Sequence, residues 1–121
     1  MHEKRWDLDA LELARTIVNV LEEKKGENII LLDILGLSDF TDYFVICSGS
    51  SERMIQALVG DMVEYLRDTH HIKAKPEGSS RDGWVLVDYG NVILHLFSPE
   101  KRDYYRLEDL WGQGKVLLHL Q

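Results

Sequence analysis

The chain has 121 residues, 45% of them hydrophobic and 29% charged, which fits one domain spanning residues 1–121 and excludes a largely disordered chain. Its formal net charge is −7, and it carries no cluster of Lys and Arg. Direct binding to DNA or RNA is therefore disfavoured, because neutralised phosphates supply most of that affinity, and a basic protein partner is the better electrostatic match.

The chain opens with one predicted helix followed by two predicted strands. Apolar residues recur at helical spacing over residues 7–25, and Gly26 is placed to end this helix. Residues 28–34 and 43–47 are short apolar runs, the second rich in aromatic and β-branched side chains. Both runs are typical of buried strands.

A second helix is predicted after the turn formed by residues 49–51, where a serine can cap it. The helical period continues to about Thr69, and we expect Gly60 to be tolerated inside the helix at a cost of ~1 kcal/mol. Residues 72–75 end at a proline and predict at most an edge strand. Residues 77–83 are polar and predict a loop.

The last third of the chain predicts a hairpin and a final helix. Residues 84–89 and 92–97 read as strands, and the Gly-Asn dipeptide between them suits a tight turn. A proline starts a helix predicted over residues 99–111. The tail, residues 112–121, has no clear assignment, and its LLHLQ end could add a strand or pair with another chain, which leaves a homodimer open.

This order of elements predicts an α/β fold, a single domain with one mixed sheet of about five strands flanked by helices. The N-terminal segment MHEKRWDLD lacks the apolar stretch of a secretory signal, and no window approaches the ~20 apolar residues that span a bilayer. We therefore expect a cytoplasmic protein with no membrane segment.

The sequence gives little support for a catalytic cysteine or a metal-binding site. Cys47, the single cysteine, lies in an apolar strand where a buried packing role is expected rather than a reactive thiolate. His95 lies on a strand face with Ile93 and Phe97 and is interpreted as a hydrogen-bonded structural histidine. The other histidines lie at a helix end or near the termini: His2, His70, His71 and His119. We predict no metal site and no cofactor.

The strongest enzymatic hypothesis starts from the Ser-Gly-Ser turn at residues 48–50, which resembles the phosphate-contacting turn of nucleotidyltransferases. Those enzymes hold two metal ions with paired carboxylates, usually an Asp-x-Asp on the next strand. Here Asp88 is the only acid within the hairpin strands, and the sole Asp-x-Asp, Asp7 with Asp9, falls at the start of the first helix. A nucleotide-using enzyme therefore remains only an alternative.

Two runs carry a family resemblance, TDYFVICSGSSERMIQAL at residues 41–58 and GWVLVDYGNVILHLF at residues 83–97. LELARTIVNVLEEKKGENIILLDI at residues 11–34, the Glu-Gly pair at residues 77–78 and RDYYRLEDLW at residues 102–111 extend it in order and at the expected spacing. Together they resemble the ribosomal silencing factor family, also called Iojap-like.

The resemblance implies a nucleotidyltransferase-like domain without catalytic carboxylates and with no enzymatic activity. It further implies binding to the large ribosomal subunit through its fourteenth ribosomal protein, which blocks joining of the small subunit and lowers translation when nutrients are short. Plant and mitochondrial relatives act in ribosome assembly, so a large-subunit assembly factor is the further alternative. Asn91 departs from the family, where many relatives have Asp.

Four residues are the candidate partner-binding site: Asp42, Trp84, Asp88 and Tyr89. Trp84 begins a strand after a polar loop, and the other three lie at strand ends near turns, so an aromatic anchor with acidic neighbours could meet a basic partner. Core packing is the alternative for Trp84 and Tyr89, and turn capping for Asp42. Three further aromatic residues are interpreted as helix-to-sheet packing: Tyr104, Tyr105 and Trp111.

Overall fold

The computed structural model describes residues 8–121, and its first element is helix α1, Ala10–Glu23. The Asp9 carboxylate accepts a hydrogen bond from the Glu12 amide at 2.8 Å, and the Glu12 carboxylate accepts one from the Asp9 amide at 3.2 Å. This reciprocal capping box fixes where the helix begins. The predicted helix is confirmed, and Asp7, where the prediction began, lies outside the described residues.

Six strands form one mixed sheet. Their bounds are β1 Glu27–Asp33, β2 Tyr43–Ser48, β3 Pro76–Ser79, β4 Trp84–Asp88, β5 Val92–Phe97 and β6 Lys115–Leu120. The order across the sheet is β3-β4-β5-β2-β1-β6. The central pair, β2 with β5, is parallel, and every other neighbouring pair is antiparallel. The two central strands are buried along their whole length, as their continuous apolar runs predict.

Helix α2, Glu52–His70, begins where the Ser51 hydroxyl accepts a hydrogen bond from the Met54 amide at 3.0 Å. Its apolar side chains pack together with those of α1 against one face of the sheet, which we call the helix face. Cys47 is fully buried in this layer, as predicted, and burial raises the pKa of its thiol to about 12. The thiol therefore stays protonated at neutral pH.

The opposite face of the sheet is covered by two short helices, α3 (Pro99–Tyr105) and α4 (Leu107–Leu110). Its buried side chains form a second cluster: Ile30, Leu32, Ile34, Phe44, Ile46, Ile93, Phe97 and Leu107. Trp84, Leu86 and Trp111 pack against that cluster while partly exposed. This face is therefore only partly shielded from solvent, and it is called the open face below.

Residues 72–75, predicted to be at most an edge strand, form no strand. The loop predicted over residues 77–83 is wrong in part, because β3 occupies Pro76–Ser79 and is followed by a short 3-10 helix at Ser80–Asp82. The connector places Ile72 and Ala74 against the helix-face cluster, and pairing with β4 begins at Pro76. Proline has no amide hydrogen to donate to a neighbouring strand. It is tolerated at the first residue of an edge strand, because no hydrogen bond between strands needs to be donated there.

The final helix predicted over residues 99–111 is broken in two at Arg106, whose φ is +46°. The break turns the chain so that Leu107 is buried on the open face. It also brings Glu108 to Arg102, whose Nε lies 3.1 Å from a carboxylate oxygen of Glu108. Arg102 is buried and its Nη1 donates to the Ser48 hydroxyl at 2.9 Å, so tertiary contacts override the helical period here.

The tail that had no assignment contributes β6, which pairs antiparallel with β1. Of the two possibilities left open for its LLHLQ end, the added strand is present, which explains why the sheet has six strands where about five were predicted. Pairing with another chain stays a prediction.

Two glycines of the described chain give a matched test of packing. A Cβ at Gly49 would lie 2.7 Å from Cγ1 of Ile55, whereas a Cβ at Gly60 would meet nothing within 4 Å. We expect Gly49→Ala to lower the free energy of unfolding by about 1 to 3 kcal/mol, because the start of α2 must shift. Gly60→Ala should raise it by about 0.5 to 1 kcal/mol through better helix propensity. Urea unfolding measures both, and changes of the same sign would contradict this account.

Candidate protein-binding surface

A continuous row of ring side chains crosses the open face, and we call it the aromatic row. In order it consists of Phe40, Trp111, Phe44, His95, Trp84, Tyr105 and Tyr104. Consecutive ring centroids lie 4.6 to 6.4 Å apart. The β1–β2 loop, three strands, α3 and the residue that follows α4 all contribute to it.

The centre of the row is buried and its two ends reach solvent. Phe44 and His95 are buried, whereas Phe40 is 62% exposed at one end and Tyr104 is 75% exposed at the other. Leu37 and Leu110 are also exposed and line a shallow pocket beside Trp111. Large apolar side chains left in water at both ends of one packed row mark a surface that can bury further area against a partner.

Trp84 occupies a central position in this row. Its ring stacks on Phe97 with centroids 5.0 Å apart and contacts Tyr105 at 4.6 Å. Its indole Nε1–H donates a hydrogen bond to Nδ1 of His95 at 3.2 Å. Trp84 is half-buried, so it both packs against the open-face cluster and presents part of its ring to solvent.

His95 is the hydrogen-bonded structural histidine that the sequence predicted. Burial lowers its pKa to about 4, so the imidazole is neutral at physiological pH. Because the indole N–H can only donate, Nδ1 is the acceptor and the ring proton lies on Nε2. That Nε2 is buried without a hydrogen-bond partner in the described part of the chain, and the ring meets Phe44 edge-on at 4.7 Å.

Three of the four predicted site residues lie together, and Trp84 lies apart from them. Asp42 donates its backbone N–H to the carbonyl of Asn91 at 3.0 Å, which places it beside the β4–β5 turn that carries Asp88 and Tyr89. Trp84 begins β4, whereas Asp88 ends it. Trp84 therefore lies at the opposite end of the strand from the other three.

The side chains at the turn differ in what they can offer a partner. Asp88 is exposed, and its carboxylate accepts a hydrogen bond from the Gly90 amide at 2.8 Å, so it caps the turn while keeping its charge in solvent. Strand alternation from Trp84 and Leu86 places Asp88 on the open face. Tyr89 packs instead against the helix-face cluster, and burial raises the pKa of its hydroxyl.

Acidic side chains flank both ends of the aromatic row. Asp39, next to Phe40, and Asp88, at the end of β4, are exposed, and α3 and α4 add three carboxylates: Asp103 next to Tyr104, Glu108, and Asp109, which lines the pocket beside Trp111. Arg106 lies 2.7 Å from Asp109 and 3.8 Å from Asp103, and Arg102 lies 3.1 Å from Glu108, so all three of these carboxylates are locally paired. The remaining negative charge favours a basic partner.

The Ser-Gly-Ser turn is occupied by structural contacts. The Ser48 hydroxyl accepts from Arg102, and the close approach of Ile55 leaves no room for a side chain at Gly49. Ser48 pairs with Phe97, which pairs with Trp84, so Asp88 lies at the far end of β4 from this turn. The one hairpin carboxylate is therefore not placed to act with the turn.

Metal ligands are not gathered anywhere in residues 8–121: no group of three or more His, Cys, Asp or Glu side chains is close enough to hold an ion. His2 and Asp7 lie outside this range. No helix among the described residues is both long and apolar enough to cross a bilayer.

Comparison with known proteins places the chain in a family. The sequence profile described as "Ribosomal silencing factor during starvation" matches residues 7–120. The chain belongs to the ribosomal silencing factor family. A relative from Halalkalibacterium halodurans, named "Ribosomal silencing factor RsfS", is 37% identical, with 88% of this chain and 91% of the relative covered. One of the same name from Bacillus subtilis is 40% identical, with 78% of this chain and 80% of the relative covered.

Solved structures agree with the fold. A crystal structure of a Chromobacterium violaceum protein matches with a TM-score of 0.81 and 33% identity, covering 87% of this chain and 88% of that one. The expected single α/β fold with a mixed sheet and flanking helices is therefore confirmed for this member of the silencing factor family, with six strands rather than about five.

For this silencing factor family member, sequence reasoning missed most of the aromatic row. Phe40 lies in a loop that also exposes Leu35 and Leu37, and three large apolar side chains in one short loop were an unused signal. Tyr104 was interpreted as packing between helix and sheet, yet it is mostly exposed. Trp111 does pack against Phe44, at 5.5 Å, so that interpretation holds for Trp111.

The buried neutral His95 predicts a specific pH dependence. Its folded pKa of about 4 lies below the ordinary value of 6.5, so the unfolded chain binds more protons between these values. The contribution of the neutral, buried His95 to the free energy of unfolding is complete above pH 6.5 and is lost as the pH falls towards 4. Relative to His95→Leu, the wild-type protein should lose roughly 2 to 3 kcal/mol between pH 7 and 4.5. Denaturant unfolding at both pH values measures this, and parallel pH profiles would contradict it.

Proposed function

We propose that this chain silences translation by binding the large ribosomal subunit through its fourteenth ribosomal protein and preventing the small subunit from joining when nutrients are limiting. The bacterial relatives from Halalkalibacterium halodurans and Bacillus subtilis carry the silencing factor name, which supports the general role. The observation that carries a protein-binding role is the aromatic row, which is packed at its centre and exposed at both ends.

The row has the composition of a protein-binding surface. Aromatic side chains dominate the energetic centres of interfaces, because they bury a large area with few rotatable bonds. Trp84 offers a half-buried anchor supported by Phe97 and Tyr105, so little ordering is needed when a partner covers it. Phe40 and Tyr104 would widen the contact on either side.

Charge supports a basic protein as the partner. Asp42 and Asp88 lie at the β4–β5 turn, Asp39 lies beside Phe40, and the whole chain carries a net charge of −7. Acidic rims around an apolar centre speed encounter with a basic surface and discourage acidic ones. In this proposal Asp42, Trp84 and Asp88 contact the partner directly, while Tyr89 supports the turn from the helix side.

The mechanism needs occupancy and no chemical step. A 14.0 kDa domain on the face where the subunits meet blocks their approach by its volume alone. No catalytic residue, cofactor or metal ion enters this account, and the action is proposed for the bacterial cytoplasm, where the subunits are. Contacts formed by the Ser-Gly-Ser turn within the fold support a non-enzymatic role over the nucleotide-using alternative.

A role in building the large subunit is the second candidate. A Mus musculus relative named "Mitochondrial assembly of ribosomal large subunit protein 1" is 34% identical over 88% of this chain, although the matched region is only 46% of that longer protein. Both roles require the same surface to bind the large subunit. They differ in whether the bound subunit is still maturing or is finished.

Exposed residues at the ends of the row give the cleanest test of the binding surface. We expect Phe40→Ala and Tyr104→Ala each to weaken binding to isolated large subunits by ~1 kcal/mol or more, because each removes an exposed ring from the contact. Tyr65→Ala is the matched control, since Tyr65 is a 40% exposed aromatic on α2 in the opposite layer. Binding is measured by co-sedimentation, with a thermal melt of each variant. Equal loss in all three variants would count against the open face as the site.

Order of addition tests the blocking mechanism. Protein added to separated subunits before mixing should lower the fraction of joined ribosomes and saturate at equimolar amounts, because each bound copy covers one joint. Protein added to joined ribosomes should do much less, since its site is covered. Sucrose-gradient profiles give both values. Inhibition at strongly substoichiometric amounts, or inhibition that survives removal of the protein, would instead indicate catalytic modification.

A further inference from the structure

The contact between Trp84 and His95 is the one side-chain hydrogen bond in the described chain that links two members of the aromatic row. The two residues lie on neighbouring antiparallel strands, where Trp84 pairs with Phe97 and Leu86 pairs with His95. His95 is therefore the diagonal neighbour of Trp84 on the open face. The bond crosses that diagonal and ties the indole on β4 to the buried strand β5.

We infer that His95 is a positioning residue for partner binding: its Nδ1 holds the Trp84 indole in the orientation that the large subunit recognises. This inference rests on the function proposed above and adds a residue to it. His95 itself is buried and reaches no partner, so it acts only through Trp84.

Stacking alone leaves the orientation of the indole open. Phe97 stacks on the ring and Tyr105 contacts it at a tilt, and such apolar contacts tolerate a ring flipped about its long axis. A hydrogen bond does not, because the single N–H of the indole must meet an acceptor. Nδ1 of His95 is that acceptor at 3.2 Å, so one flip state is selected before the partner arrives.

The environment keeps Nδ1 available as an acceptor. The imidazole is enclosed by Phe44, which it meets edge-on, and by Phe97, whose ring is nearly parallel to it at 6.2 Å. These apolar neighbours disfavour the doubly protonated ring, in which both nitrogens would donate. The open-face packing of His95 therefore serves the hydrogen bond as well as the core.

Two substitutions separate positioning from simple packing. His95→Asn retains an acceptor, because its Oδ1 takes the place of Nδ1, but it leaves a void and a buried amide. His95→Leu fills the site with an apolar side chain and removes the acceptor. If His95 only packs, the Leu variant should be both more stable and the better binder. If His95 positions Trp84, the Leu variant should still be more stable, but the Asn variant should bind large subunits better.

We expect His95→Leu to weaken co-sedimentation with large subunits by about three- to tenfold, the usual effect of releasing one ordered side chain at an interface. His95→Asn should stay within about twofold of the wild type. In a Trp84→Phe background, which has no indole N–H, His95→Leu should have no further effect on binding, as a double-mutant cycle requires of residues that act through each other.

A spectroscopic readout makes the result independent of ribosomes. The indole ¹⁵N–¹H signal of Trp84, identified by its loss in Trp84→Phe, should exchange slowly with solvent in the wild type and in His95→Asn and rapidly in His95→Leu. If the wild-type protein binds large subunits and His95→Leu binds them equally well, this inference is overturned and the proposed function stays intact. Failure of the wild type to bind large subunits would overturn the proposed function, and the indole signal would still show whether His95 fixes the ring.

Discussion

The structure depends on how unequally the two faces of its sheet are covered. The central strands β2 and β5 are buried throughout, so both faces must be kept from water. Both long helices pack on the helix face, and within residues 8–121 the open face receives only α3 and α4, of seven and four residues. Side chains must complete the cover there, and large aromatic rings do so while leaving apolar edges in solvent. The candidate binding surface is thus a consequence of the fold's own packing.

Arg102 holds the short helices in place on that face. Its guanidinium reaches Ser48 at the end of β2 and Glu108 on α4, so one buried cation joins a central strand to both short helices. A buried charge of this kind is tolerated only when it is paired, and removing its partner would leave it stranded. The break at Arg106 makes the pairing reachable, since a continuous helix would carry Glu108 away from Arg102. Local strain at one residue is therefore offset by the contacts that it allows.

Local patterns predicted the parts of the fold that are defined locally. The helical period placed α1 and α2, and the Gly-Asn dipeptide placed the hairpin of β4 and β5, because each signal lies within a few residues. The strand β3 and the break at Arg106 were missed, since pairing with β4 and contact with Arg102 decide them from elsewhere in the chain. The aromatic row was missed for the same reason: Phe40 and Trp111 are neighbours only after folding. Trp84 was singled out as a candidate because a large aromatic directly after a polar loop is a local signal.

The pairing of β6 with β1 shapes how the chain can reach its native state. Asn28 and His119, whose side chains meet at 2.7 Å across this pair, are 91 residues apart in sequence. The hairpin of β4 and β5 closes quickly, but the sheet gains its last strand only when these distant segments meet, and loops of that size slow folding. On a translating ribosome the sheet remains unfinished until β6 has left the exit tunnel. The edge of β1 is then briefly unpaired, and a nascent chain in that state presents a strand edge that invites association with other chains.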